Sequence, residues 1–390
     1  MLGKFLKKTP LAWRQLMKEK TRLMVAIAGI GFADMLMFVQ LGFQDSLYDS
    51  AVSPYRTLDG DLILLSPQFK SLASMQSFSR DRLHQAFAVD GVDSVGSIYI
   101  SLAPWKNPET RLTRSILIWG VQPEAPSFAK QEIKQQLPKL QILDNVLFDK
   151  GSRPEYGTIS DQFKEKGQVS VELNSQQINV SGIFTLGASF VADGNVIISD
   201  STFHKLFSNR RPDQIEIGLI RLKNRNAENV KLIQKQLEAA LPKEIKVLTL
   251  EQLIAVEKYY WESQGTIGFI FGIGVIVGFI VGIVIVYQIL YTDVTNHLPE
   301  YATLKAMGYS DGYLLKVLLQ EAILLAVLGY IPGALISILI YQLTYTATLL
   351  PIAMNLSRAI FVLILTFIMC TGSGFIAMRK LRDADPADIF

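Results

Sequence analysis

The sequence has little cysteine and little histidine, and these shortages exclude several kinds of site. Cys370 is the single cysteine, so no disulfide can form within the chain. The three histidines, His84, His204 and His297, are far apart in sequence and have no cysteine nearby that could complete a zinc site. We therefore expect neither a structural disulfide nor a metal in this chain.

Motifs for catalysis are also missing. No GxSxG sequence is present, and GKFLKKT at residues 3–9 lacks the second glycine and the preceding strand of a phosphate loop. The formal net charge of +3 gives no indication of nucleic-acid binding. The sequence thus predicts no catalytic residue and no cofactor, and any work driven by ATP would need a partner that binds the ATP.

Long hydrophobic runs are what the sequence does have. A mean hydropathy of +0.27 lies between that of most soluble domains and that of a protein buried wholly in lipid. Four apolar runs reach the length of about 20 residues that crosses a bilayer. They cover residues 23–43, 266–291, 314–341 and 359–378. We expect a membrane α-helical protein with four transmembrane helices and a large α+β extracytoplasmic domain between helices 1 and 2.

Basic residues at both ends predict the orientation. Residues 1–22 carry seven Lys or Arg against one acid, which is typical of a cytoplasmic amphipathic helix or of a plain juxtamembrane flank. Basic residues also open the tail at 379–390. Because such residues prefer the cytoplasmic side, we expect both termini and the loop at 292–313 inside. The insertion at 44–265 and a short loop at 342–358 are then outside.

The insertion has the pattern of a mixed α and β domain. Its predicted strands are 61–65, 94–102, 114–121, 168–173, 177–184, 195–199 and 214–222. Helical spacing at 80–87 and 227–241 places a helix between strands near each end, which predicts two βαβ-like halves. The predicted parts are halves at 45–117 and 213–250, an inserted subdomain at 118–212, and a helical stalk at 250–265. We expect the stalk to continue into the second span as one helix.

Polar residues and glycines within the spans are candidate functional or packing positions. Asp34 lies near the middle of the first span, where a carboxylate is costly unless it is paired, protonated or facing a polar cavity. It is therefore either functional or a hydrogen-bonded helix contact, and Gln40 continues its polar stripe. Glu321 is expected to snorkel or pair near the interface. The second span has glycines that allow close helix packing, within the chain or in a dimer, at Gly274, Gly278 and Gly282.

A polar segment, YTDVTNHLPEYATLKAMGYSDGY at residues 291–313, separates the second and third spans. Asn296 can cap a helix, Pro299 suits a first turn, and Gly308 can adopt the left-handed conformation that ends one. These signals predict a short helix at 298–307. The alternative is an ordinary connecting loop.

The sequence PEYATLKAMGYS, followed by LLKVLLQEAILLAVLGYIPGALI, resembles the cytoplasmic corner of the FtsX/MacB superfamily of ABC-transporter permeases. TPLAWRQL at residues 9–16 and AGIGFADMLMFVQLGFQD at 28–45 are similar to the DevC permeases of cyanobacterial DevBCA-type exporters. The resemblance implies that the 298–307 helix couples to an ATPase. The implied coupling residues are Leu298, Glu300, Tyr301, Lys305, Gly308 and Tyr309.

The same resemblance implies partners and a function. It implies a homodimeric permease in the inner membrane of a cyanobacterium, surrounded by lipid, that exports a glycolipid or other amphiphile. Its partners would be a DevA-like ATPase that binds ATP and Mg, a DevB-like periplasmic membrane-fusion protein and a TolC-like outer-membrane channel. It also implies that the two halves form a porter subdomain and that the inserted part forms a sabre subdomain. The alternatives are an FtsX-like regulator of a cell-wall hydrolase and a lipoprotein-release permease.

Overall fold

The computed structural model describes residues 19–263, 266–348 and 350–382. The helices, in chain order, are α1 (Lys20–Val52), α2 (Asp81–Phe87), α3 (Gln131–Lys134), α4 (Ile159–Lys166), α5 (Asp200–Leu206), α6 (Ala227–Ala240), α7 (Leu250–Ser263), α8 (Thr266–Asn296), α9 (Leu298–Ala306), α10 (Asp311–Thr348) and α11 (Leu356–Arg382). The strands are β1 (Leu62–Leu65), β2 (Phe78–Ser79), β3 (Val92–Lys106), β4 (Thr113–Val121), β5 (Asn145–Asp149), β6 (Val169–Leu173), β7 (Gln176–Phe184), β8 (Asn195–Ser199), β9 (Gln214–Ile215), β10 (Ile217–Leu222) and β11 (Lys246–Thr249).

The chain forms two compact units. Of the described residues, 19–46, 266–348 and 352–382 form the membrane unit, and 47–263 with 350–351 form the α+β unit. Among the described residues, four helices are long and apolar enough to cross a membrane, namely α1, α8, α10 and α11. The prediction of four transmembrane helices, with a large α+β domain between the first and the second, is confirmed.

The membrane unit is held together by apolar side chains from all four long helices. Ile30, Leu290, Leu325 and Met369, one from each helix, belong to one buried cluster. Large apolar side chains on the outward faces of the same helices, such as Ile276 of α8, are exposed. This distribution is the one expected of a helix bundle surrounded by hydrocarbon, where no polar surface is needed outside.

One nine-stranded sheet runs through the α+β unit in the order β11-β1-β10-β3-β4-β8-β5-β7-β6. Strand β1 leads through α2 to β3, and β10 leads through α6 to β11. These two strand–helix–strand connections interleave, since β10 lies between β1 and β3 while β1 lies between β11 and β10. The long strand β3 pairs with β10 in its first half and with β4 in its second half, so the sheet continues into the inserted region.

Both faces of the sheet are buried. In β1, Leu62 and Leu64 belong to the apolar cluster on one face, while Ile63 and Leu65 belong to the cluster on the other. Successive side chains of a strand point to opposite faces, so a strand covered on both sides is apolar at every position. The uninterrupted sequence LILL is the result.

The structure corrects several predicted boundaries. The predicted strand at 214–222 is divided at Glu216, whose buried carboxylate accepts a hydrogen bond of 2.8 Å from the amide of Ile100 and pairs with Arg210. Its two parts, β9 and β10, belong to different sheets. Strand β5 was not predicted at all. The amphipathic segment at 1–18, the stalk-to-span junction at 264–265 and the tail from 383 lie outside the described residues.

Candidate functional site

The segment between α8 and α10 forms the short helix that its capping signals predict. Helix α9 spans Leu298–Ala306, and Gly308 has φ +88°, a conformation that costs glycine little. The amide of Tyr309 donates a hydrogen bond of 3.1 Å to the carbonyl of Leu304, as in a Schellman helix end. The predicted helix at 298–307 is confirmed, one residue shorter, and it is not an ordinary connecting loop.

The candidate coupling residues divide into outward and inward positions. Glu300 and Tyr309 are exposed, whereas Leu298 packs against the buried core of the membrane unit. Tyr301 and Lys305 belong to α9, but their side chains lie outside the described set. Met307, which the sequence reasoning missed, is 63% exposed. The sequence feature that could have indicated Met307 is an apolar residue directly before Gly308, the glycine that ends the helix.

Asp34 is fully buried at a contact between α1 and α11. Its Oδ1 accepts a hydrogen bond of 2.7 Å from the hydroxyl of Thr366, and its Oδ2 has no partner among the described residues. Close approach of α10 contributes to this burial, because a Cβ on Gly333 would lie 2.9 Å from that of Asp34. The geometry is that of a hydrogen-bonded helix contact, and a functional role for Asp34 stays a prediction.

The three predicted packing glycines of α8 lie against another helix of the same chain. A Cβ on Gly278 would lie 3.2 Å from Met37 of α1, and one on Gly282 would lie 3.0 Å from the Cβ of Ala33. The position of Gly274 is covered by Gln40. The stripe therefore brings α8 close to α1 within the membrane unit, and these three positions are already occupied before any second copy binds.

Of the two alternatives predicted for Glu321, snorkelling and pairing, the first is wrong. The carboxyl is fully buried, so it does not snorkel, and neither oxygen has a hydrogen-bond partner among the described residues. Sequence position alone could not show this, since burial depends on which face of α10 meets α1 and α8.

A second buried glutamate, which the sequence reasoning did not single out, lies in the α+β unit. Glu257 of α7 accepts hydrogen bonds from the hydroxyl of Tyr55 (3.0 Å), the indole of Trp261 (2.9 Å) and the amide of Leu72 (2.9 Å). Burial raises the pKa of Glu257 to about 7, against the opposing effect of these bonds. Glu257 therefore connects α7 to Tyr55 and Leu72, which lie in two segments that follow α1 in the sequence.

No group of three or more His, Cys, Asp or Glu side chains that could hold a metal ion is found at residues 19–263, 266–348 and 350–382. The three histidines do not come together. His204 stacks edge-on against Tyr99 at a centroid distance of 4.9 Å, and the buried His297 lies 3.1 Å from the main-chain carbonyl of Asp293.

Comparison with known proteins agrees with this arrangement. Residues 265–386 match the family of the FtsX-like permease C-terminal domain, and this segment includes α8, α9, α10 and α11. The match shows that this segment is similar to FtsX-like permeases. Residues 9–16 and 28–45, which carry the DevC-type resemblance, lie outside the matched segment. No curated protein matches the chain.

Two solved structures resemble part of the chain. One is the extracellular domain of the noncanonical ABC-type transporter YknZ from Gram-positive bacteria, with 12% identity and a TM-score of 0.33 over 49% of this chain and 99% of that one. The other is the periplasmic region of MacB from Actinobacillus actinomycetemcomitans, with 11% identity and a TM-score of 0.33 over 51% of this chain and 92% of that one. Likeness at this level carries no conclusion about function.

Proposed function

We propose that this chain is the permease subunit of an ABC exporter whose ATPase is a separate protein. The observation that carries the proposal is α9, a nine-residue helix set between two membrane-crossing helices and closed by Gly308. The sequence match to FtsX-like permeases covers this same segment. A short capped helix joined at both ends to long helices can pass a displacement on to them, whereas a flexible loop would absorb it.

The exposed part of this segment has the composition of a docking surface. Glu300, Met307 and Tyr309 are exposed, and the ring of Tyr309 lies 4.9 Å from that of Tyr313. Aromatic and Met side chains are enriched at protein interfaces, and charges at a rim act mainly on specificity and association rate. ATP and Mg would be bound by the partner ATPase, and this surface would receive its motion.

The finer parts of the proposal rest on the resemblance to DevC permeases. The chain would work as a homodimer in the inner membrane, with both termini in the cytoplasm, and would pass motion to its exported α+β unit. A periplasmic membrane-fusion protein and an outer-membrane channel would complete the path, and the cargo would be a glycolipid or another amphiphile. Because Gly274, Gly278 and Gly282 are covered within the chain, a second copy would use a different face of the bundle.

Affinity purification of the tagged full-length chain from crosslinked membranes tests this proposal. We expect an ABC ATPase and a periplasmic adaptor to copurify. In a matched control, replacement of residues 298–306 by a Gly/Ser linker of equal length should remove the ATPase and leave the adaptor bound. Copurification with a cell-wall hydrolase would instead indicate an FtsX-like regulator, and recovery of lipoproteins would indicate a lipoprotein-release permease.

A further inference from the structure

A small cavity in the membrane unit is lined by an excess of acidic side chains. Helices α1, α8 and α10 enclose it at the end of the bundle where α9 begins. Its polar lining consists of Glu19, Arg22, Asp293 and Glu321, and the rest is apolar. Its free space of ≈ 10 Å³ is about that needed for one water molecule.

Arg22 is already engaged and cannot balance all three acids. Its guanidinium contacts Glu19 at 3.1 Å and Asp293 Oδ1 at 3.1 Å, and it donates a hydrogen bond of 2.8 Å to the carbonyl of Ile289. The imidazole of His297 lies 3.5 Å from the same Oδ1. Arg22 and His297 are therefore both directed at one side of Asp293.

Two carboxyl groups are left with unsatisfied oxygens. Neither oxygen of Glu321 nor Oδ2 of Asp293 has a hydrogen-bond partner within the described part of the chain, and Glu321 is 0% exposed. A buried ionised carboxylate without partners costs several kcal/mol, whereas a protonated one can donate a hydrogen bond to a neighbouring acceptor. A single proton between the two acids would give one oxygen of each a hydrogen-bond partner.

We propose that Glu321 and Asp293 form a proton-binding site, in which the Glu321 carboxyl carries the proton and donates to Asp293. Glu19, Arg22 and His297 are the other titratable or charged groups facing it from α1 and from the end of α8, among the residues described. The site joins α8, three residues before its end, to α10, ten residues after its start. Proton loss would place two negative charges side by side and weaken this junction.

A proton fits the site better than a metal ion does. The described residues contain no group of three or more acidic, His or Cys side chains that could hold a metal, and the cavity leaves room for one water only. Proton binding at this site does not depend on transport. The proton site can therefore be disproved while the permease assignment holds, and the permease assignment can be disproved while the proton site holds.

Infrared spectroscopy of the purified full-length protein tests the proton directly. We expect Glu321→Gln to remove one protonated-carboxyl C=O stretching band at neutral pH, while Glu262→Gln, at an exposed glutamate, leaves the spectrum unchanged. Asp293→Asn is the second variant, because its amide N–H replaces the proton as donor and should remove the same band. If neither site variant loses a protonated-carboxyl band that the wild type shows, the proposal is overturned.

The pH dependence of unfolding separates proton binding from simple packing. Across pH 5 to 9, the melting temperature of the wild type should fall more steeply with rising pH than that of Glu321→Gln. An equal difference between the two at every pH would mean a structural role only, and would overturn the proposal. Stabilisation by sodium chloride over choline chloride at equal ionic strength, lost in Glu321→Gln, would assign the site to a cation instead.

Discussion

The hydroxyl of Thr366 lies 2.7 Å from Oδ1 of Asp34 and 2.8 Å from the carbonyl of Val362, so one hydroxyl proton faces two acceptors. A proton on Asp34 would satisfy both contacts, because Asp34 would then donate to Thr366 and Thr366 to Val362. The pair joins the first and the fourth membrane helices within the bundle. The contact therefore links Asp34 of α1 to α11.

The Asp34 contact gives a first prediction. Thr366→Val keeps the shape of the side chain but leaves Asp34 without its partner, which should lower the free energy of unfolding by about 1–3 kcal/mol. Thr366→Ser keeps the hydroxyl and serves as the control. Asp34→Ala should lower export more than Asp34→Asn, since asparagine keeps hydrogen bonding. Thermal unfolding in detergent and an export assay measure the two effects, and wild-type behaviour of Asp34→Ala in both would make the contact dispensable.

The glycines of α8 give a second prediction. Gly282→Val would drive side-chain atoms into Ala33 and Met369, and overpacking of this kind typically costs about 1–3 kcal/mol. Gly272→Val makes the same chemical change on the same helix where no atom lies within 4 Å of the added Cβ. Melting temperatures in detergent should fall for the first variant only. Equal losses would mean that helix propensity, and not packing against α1, sets the effect.

Hydropathy was sufficient to predict the membrane helices, because a run of apolar residues has few alternatives in a bilayer. Helix α8 contains the whole predicted run, and α9 follows from Pro299 and Gly308. Capping signals are local, so they can be recognised without knowing the fold. The signal for the strand predicted at 195–199 is also local, since its short apolar run coincides with β8.

The features of the site that the sequence did not predict depend on non-local packing. The helical patterns around Glu321 and Glu257 do not distinguish a buried acid from an exposed one, and only the tertiary arrangement decides that both are buried. Strand β5 was missed because NVLFD is a short run that becomes a strand by pairing with β7 and β8. Sequence patterns report what one element prefers, whereas these features depend on its neighbours.

Glu257 gives a third prediction, on pH. Its folded-state pKa of about 7 exceeds the usual 4.5, so the folded state holds the proton more tightly than the unfolded state. Stability from this group is fully present below pH 4.5 and is lost as the pH rises through 7, by up to about 3 kcal/mol. Protection of the Leu72 amide against hydrogen exchange, measured in the full-length protein, should therefore fall between pH 5 and 8.

A matched pair of variants tests this assignment. Glu257→Gln mimics the neutral form and should flatten the pH dependence of Leu72 protection. Glu262→Gln changes an exposed glutamate on the same helix and should leave the pH dependence of Leu72 protection as in the wild type. If Leu72 protection varies with pH equally in all three proteins, another group is responsible.

Topology gives a fourth prediction. Cys370 is fully buried, and Cys370→Ala provides a cysteine-free background. In that background Asn209→Cys, at an exposed position of the α+β unit, should react in intact cells with a thiol reagent that enters the periplasm but does not cross the inner membrane. Thr303→Cys, on the exposed face of α9, should react only after lysis. The reverse pattern would place the α+β unit in the cytoplasm.

The last prediction concerns the exposed acid of α9. Glu300 and Lys305 are five residues apart, too far round the helix for the usual pairing at three or four positions. Glu300→Lys reverses a charge on the proposed ATPase-docking surface, and like charges that meet at an interface are unfavourable. We expect the complex to assemble less well, or to hydrolyse ATP without export, while the α+β unit stays folded.

Two comparisons make this outcome specific. Glu238→Lys is the same reversal at an exposed position of α6 in the α+β unit, and it should leave ATP hydrolysis and export coupled. A compensating charge reversal on the ATPase should restore export to Glu300→Lys. It should lower export by the chain with the wild-type Glu300, because two acids would then meet. The measurement is ATPase activity of the reconstituted complex, with and without the adaptor, beside export in cells. Wild-type coupling in both Glu300→Lys and Lys305→Glu would make α9 a connector, because a docking surface that tolerates reversal of each of its charges is not recognised through them.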